Sequence, residues 1–231
     1  MSGEAARTAA AKALATLRGL AAALVVDADG SGWPAELARD LDEAAAYHAC
    51  RLPSLTALRL LREGVAELHG LAIERRPEWL PQAAAGHHLL DLAISMAGGV
   101  PDLIDDDLDW APDEADDTLP PSEWTLLAID GAIPLARDLA ESTSRMPPST
   151  CRADLDRMLG LALALRCALR APGPWRASPL RQGFEEAGLA AARTRATLSG
   201  LPGLGDQAAL AAHLQEVFES PLPSPPGPGP A

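Results

Sequence analysis

His87, His88 and Asp91 lie within five residues of one helical segment, a spacing that lets a carboxylate orient an imidazole as a general base requires. Glu36, Asp40, Glu43 and Tyr47 follow one another at steps of 4, 3 and 4, which places them on one stripe of a helix. Three carboxylates leading to the only tyrosine of the chain could attract an ammonium group and take its proton. Asp130, Arg137 and Glu141 share a line on a segment that is otherwise apolar nearly all round, where a charge normally needs a partner. His88, Asp91, Glu43 and Tyr47 are therefore the candidate catalytic groups. His87, Asp130, Arg137 and Trp124 are the candidate substrate contacts. Each set also has a plainer account: the first two are solvated faces, and the third is a structural Asp–Arg interaction.

The densest charge lies elsewhere. Nine of the sixteen residues at 102–117 are carboxylates, and they account for most of the formal net charge of −13. A local field of that strength selects a cation, an amine or a basic partner. Asp105-Asp106-Asp107-Leu108-Asp109 resembles the DDxxD motif of class I prenyl-diphosphate enzymes, all-helical proteins whose carboxylates hold magnesium against a diphosphate. Those enzymes carry a second metal-binding motif on a facing helix, and this chain has none. Asp105, Asp107, Asp109, Asp113 and Asp116 also occupy positions 1, 3, 5, 9 and 12 of an EF-hand-like register, with Trp110 where the loop needs glycine. Asp27-Ala28-Asp29-Gly30-Ser31-Gly32 resembles an EF-hand opening, but the twelfth position is Ala38. A turn rich in Asp and Gly explains it as well. Mg²⁺ or Ca²⁺ at Asp105, Asp107 and Asp109 is thus the one cofactor the sequence offers, and the main reading is cofactor-independent with no dedicated metal site. A solvated acidic loop, or one docking on a basic patch, accounts for the same residues.

A metal at the His87–His88 segment would need a further ligand from a facing helix, which His48 or His69 could supply. Trp79, eight residues before His87, resembles the Trp-to-His spacing of DinB-like metal-binding bundles, whose second motif of histidines four apart is absent here. No phosphate-binding glycine loop, HExxH, GxSxG, paired ExxH or cysteine knuckle is present.

These groups must be positioned by helices. Alanine and leucine dominate, aromatics are 3% of the chain, and both dominant types favour helix. Proline, glycine and serine punctuation divides the chain into segments at about 3–26, 33–51, 55–76, 77–98, 123–145, 151–170, 178–200 and a short last helix capped by Asp206. Pro134 should kink the fifth, Ser149 or Thr150 should cap the sixth, and no segment has strand periodicity. The expected fold is all-α: a single bundle of seven to eight helices over 1–220, with an acidic loop at 101–121 and a disordered Pro-rich tail at 221–231. All five tryptophans lie within three residues of a proline. They either plug the ends of the bundle or converge on a pocket mouth.

Acidity argues against nucleic acid and anionic membranes as partners. Cys50, Cys151 and Cys167 form no CxxC pair, so reduced thiols in a cytoplasm are the simplest expectation. The apolar stretch at 20–26 is too short for a membrane span and resembles no signal peptide. Lys12 is the only lysine and asparagine is absent, the codon bias of a GC-rich, bacterial genome. The expected function is a small-molecule enzyme, with specialised metabolism as its setting, that activates an amine-bearing substrate by proton transfer. The alternatives are a helical interaction protein or accessory subunit docking through its acidic loop on a basic protein partner, and a divalent-cation-binding bundle; a homo-oligomer is a further partner expectation.

Overall fold

The computed structural model describes residues 3–26, 32–49, 51, 53–99, 118–119, 122–144, 151–171 and 175–220. Eight α-helices account for nearly all of them: α1 Gly3–Val26, α2 Trp33–His48, α3 Leu55–Arg75, α4 Leu80–Met96, α5 Glu123–Ser142, α6 Arg152–Arg170, α7 Ala177–Ser199 and α8 Gly205–Glu219. The all-α expectation therefore holds. The acidic residues of 102–117, Trp110, the turn at 27–31, Cys50, Ser149, Thr150 and the tail at 221–231 lie outside the described residues.

The punctuation acts as physical chemistry requires. The Ser54 hydroxyl accepts from the Ala57 N–H at 3.1 Å and caps α3, and the Ser122 hydroxyl accepts from the Thr125 N–H at 3.3 Å and caps α5. Pro77–Trp79 forms a 3₁₀ turn ahead of α4. Gly98, at φ +88°, ends α4 in a conformation that only glycine adopts freely. Two expectations need correction. Asp206 lies inside the first turn of α8, whose N-cap is Leu204. A short antiparallel ribbon also exists: β1 (Thr118–Leu119) pairs with β2 (Trp175–Arg176). Two-residue strands are too short to have a readable period. The fifth segment continues through Pro134 as one helix, and the exposed side of α5 accommodates the ring.

α6 is the axis of the molecule. Every residue from Met158 to Leu169 is buried, and the helix packs against α2, α3, α5 and α7. The approach of α3 depends on Gly64, where a Cβ would stand 2.5 Å from the carbonyl oxygen of Cys167. α4 packs instead against α1 and α3, and α8 against α7 and α5. One apolar core runs through all eight helices, from Ala9 and Leu14 through Leu37, Leu61, Leu90, Ile133 and Leu163 to Phe184 and Phe218. No described helix is long and apolar enough to cross a membrane.

Candidate functional site

From Met158 to Leu169 α6 has no solvated face, yet this part of the helix carries Arg166 and is followed at once by Arg170. Both meet the acidic stripe of α2. Arg170 Nε donates to Asp40 Oδ2 at 2.8 Å, its Nη1 to Glu36 at 3.1 Å, and its Nη2 to Asp130 of α5 at 3.1 Å. Arg166 lies 3.1 Å from Asp40 Oδ1 and pairs with Glu43, which also accepts from Arg137 of α5. Asp40 is only 1% exposed. Burial pushes its carboxyl up from the ordinary value against the pull of both arginines, while Arg170 is held above its own ordinary value because its three carboxylates outweigh its desolvation. Four carboxylates and three guanidiniums thus pair along the α2–α5–α6 seam, the arrangement that buried charge demands, with the half-exposed Glu36 at its edge. Cys167 is buried beside this ladder, and burial followed by the nearby Asp40 carboxylate pushes its thiol up.

One turn further along α2 the stripe leaves the ladder and enters a cleft of about 460 Å³. Its walls come from the end of α2 (Tyr47, His48, Arg51), the start of α3 (Ser54, Ala57) and one face of the first turns of α6 (Ala153, Asp156, Arg157, Gly160). The Tyr47 hydroxyl donates to the Asp156 carbonyl at 2.8 Å, and the Arg51 guanidinium lies 4.5 Å over the Tyr47 ring. The Asp156 carboxylate accepts from Arg51 at 3.2 Å and from Arg152 at 3.4 Å. Arg157 pairs with Glu186 of α7 at 2.8 Å.

His48 is the group in this cleft that the local chemistry leaves unsettled. It is 3% exposed, and neither ring nitrogen has a hydrogen-bond partner among the described residues. Burial, assisted by the Arg51 charge, pushes its pKa down to about 4, so the imidazole is neutral at physiological pH. Gly160 makes room for it: a Cβ there would stand 3.2 Å from His48 Cε1 and 3.4 Å from Tyr47 Cε1. Burial, then the Asp156 charge, pushes the Tyr47 hydroxyl up, so it stays protonated.

The residues expected from the sequence are therefore dispersed. Glu43, Asp130 and Arg137 are ladder members, and Asp130 and Arg137 find their partners on α6 and α2. Tyr47 reaches the cleft. Asp91 accepts from Arg62 of α3 at 2.8 Å, and His88, on the same helix, is exposed. His87 is buried, with its pKa pushed down to about 4 by burial and then by Arg62, and its ring meets His69 edge-on at 6.0 Å between centroids. Among the described residues no group of three or more His, Cys, Asp and Glu is placed to hold a metal ion. Trp124 is 83% exposed, whereas Trp175 is buried with its indole N–H donating to the Ala171 carbonyl at 3.1 Å.

Sequence reasoning missed Arg166, Arg170 and Asp156 as site-forming groups, and named His48 only as a further ligand for a metal at the His87–His88 segment. A signal existed for the arginines, two of them four apart in the apolar run that ends α6. Nothing placed His48 in a cleft with Tyr47, because a histidine beside a tyrosine at a helix end is compatible with any environment. Comparison of the chain with protein-family models, with curated proteins and with solved structures finds no match in any of the three.

Proposed function

We propose that the protein is a small-molecule enzyme of the proton-transfer type, working with its own side chains in the cleft between α2, α3 and α6. The observation that carries this reading is His48: a buried, neutral imidazole with both nitrogens unpartnered, lining a cleft of ligand size. A neutral imidazole offers one acceptor and one donor, so it can take a proton from a substrate group and return it. Tyr47 and Arg51 flank it and are held in place by Asp156. His48 thus takes the part expected of the His88–Asp91 pair, whose carboxylate is engaged by Arg62. The acidic stripe of α2 acts as structure in this reading, because an ammonium group there would have to displace arginines from Glu36, Asp40, Glu43 and Asp130.

The test is a thermal-denaturation screen of the protein and of His48→Gln against amines, carboxylic acids, and phosphorylated and sulfated metabolites, with each stabilising compound then followed for turnover by mass spectrometry. The expected result is a stabilising compound whose conversion falls by about a hundredfold or more in His48→Gln. Equal conversion by both proteins would remove His48 from the chemistry. Silence across the panel would sink the enzyme reading and favour a second one, a helical interaction protein. That alternative is supported by the outer face of α5, where Trp124 and Leu127 (59% exposed) stand one turn apart above the open backbone of Gly131.

A further inference from the structure

We infer that the cleft takes a carboxylate-bearing small molecule, its acid group lying between the Arg51 guanidinium and the His48 imidazole and its apolar body lying along Pro53, Ala57, Ala153 and Leu161. The inference rests on the cleft being the substrate site proposed above and narrows what that site binds.

Several polar atoms of the lining are already engaged. Asp156, the one carboxylate in the lining, accepts from Arg51, Arg152 and the Tyr47 hydroxyl. It is not free to receive an ammonium group. The groups left to meet a ligand are guanidinium N–H donors, the Ser54 hydroxyl and the His48 ring, whose two nitrogens have no partner and almost no exposure, so that a ligand reaches them only when the ring turns. A carboxylate matches that set: guanidinium and carboxylate are planar and pair in a fork, and an adjacent imidazole shares the acid proton. A dianion fits less well, because Asp156 and Glu186 offset the two lining arginines and the positive excess is the single charge of Arg152, which also pairs with Asp156. The remaining walls are proline, alanine and leucine, which favour a hydrocarbon body over a second charged group.

Binding should also take up a proton. Among the described residues the charged and titratable groups around His48 are Tyr47 and Arg51 on its own side and Asp156 and Arg157 from α6, with Arg152 acting through Asp156 and Glu186 of α7 through Arg157; α3 contributes Ala57 and its N-cap Ser54. The Arg51 charge and burial together keep the imidazole neutral in the free protein. A carboxylate set against it offsets both effects and favours the imidazolium. Affinity for the acid therefore rises as pH falls from 7 towards 5.

Benzoate, benzamide, benzylamine and phenyl phosphate share one ring and differ in charge. Each is titrated into the full-length protein and into Arg51→Gln, His48→Gln and the surface variant Arg18→Gln, following the histidine ring resonances by NMR and affinity by calorimetry. The inference expects benzoate to bind and move the His48 resonances, with affinity falling by about tenfold or more in Arg51→Gln. His48→Gln should lose the pH dependence, and Arg18→Gln should match the wild type. Benzylamine binding in place of benzoate overturns the carboxylate class while leaving the small-molecule site standing. Phenyl phosphate binding more tightly than benzoate overturns the monoanion. Benzoate affinity unchanged in Arg51→Gln overturns the placement. No movement of the His48 resonances with any of the four overturns both this inference and the substrate site on which it rests.

Discussion

At the scale of single residues, the cleft depends on what is small as much as on what is polar. Gly160 faces the His48 and Tyr47 rings at a distance that leaves little room for a methyl group. Gly160→Ala favours α6 through helix propensity by about 1 kcal/mol but presses on both rings, an overpacking that costs about 1–3 kcal/mol. We expect near-neutral or modestly reduced stability by urea denaturation, together with weaker ligand binding because the imidazole shifts. An unaltered affinity alongside a gain in stability would show that the rings do not depend on this glycine. His48, Gly160 and Asp156 were not legible as a unit. They lie more than a hundred residues apart in part, and nothing in the identity of one announces the other.

At the scale of elements, α6 and α2 hold each other through charge. Arg170 gathers Asp40, Glu36 and Asp130, and its side chain is largely buried. Removing one partner of a buried pair leaves the other charge desolvated and unmatched, which costs about 3–5 kcal/mol. Arg166 still faces Asp40 at 3.1 Å, so Arg170→Met should destabilise the protein by about 3 kcal/mol, the lower end of that range, in urea denaturation. Adding Asp40→Leu to Arg170→Met should cost less than the two single changes summed, because the carboxylate that lost one of its two arginines is gone. Strict additivity of the two would mean that the pair is not coupled. The α2 stripe was visible in the sequence as a row of acids four and three apart, and so was the demand of Asp130 for a partner in an apolar helix. What the spacing could not supply was the partner. A row of acids on a helix looks the same whether water or two arginines of a buried helix face it.

At the scale of the whole molecule, two buried histidines make stability depend on pH. His48 and His87 are each pushed down to about 4, mainly by burial, and both regain their ordinary value of 6.5 on unfolding. The unfolded chain therefore binds more protons between those values. The stabilising contribution is complete above 6.5, is lost as pH falls towards 4 and levels off below it, by about 3 kcal/mol for each group. Asp40, pushed up by burial, works in the opposite sense at the acid end, so the discriminating quantity is a difference. Between pH 7 and pH 4, the wild type should lose about 3 kcal/mol more in urea denaturation than His48→Gln does. Equal losses would mean that His48 is not a neutral buried imidazole. The sequence by itself determined the class of fold and most element boundaries. Alanine, leucine, proline, glycine and capping serine act within a few residues of where they stand, and that local chemistry gives α3 and α5 their starts and α4 its end. Only the tertiary structure decided which polar groups meet. It placed α4 on α1 and α3, away from the seam where α2, α5 and α6 join, so the His88 and Asp91 of one helix and the Glu43 and Tyr47 of another serve different neighbours. Burial and pairing are properties of packing across long stretches of chain, and no local spacing encodes them.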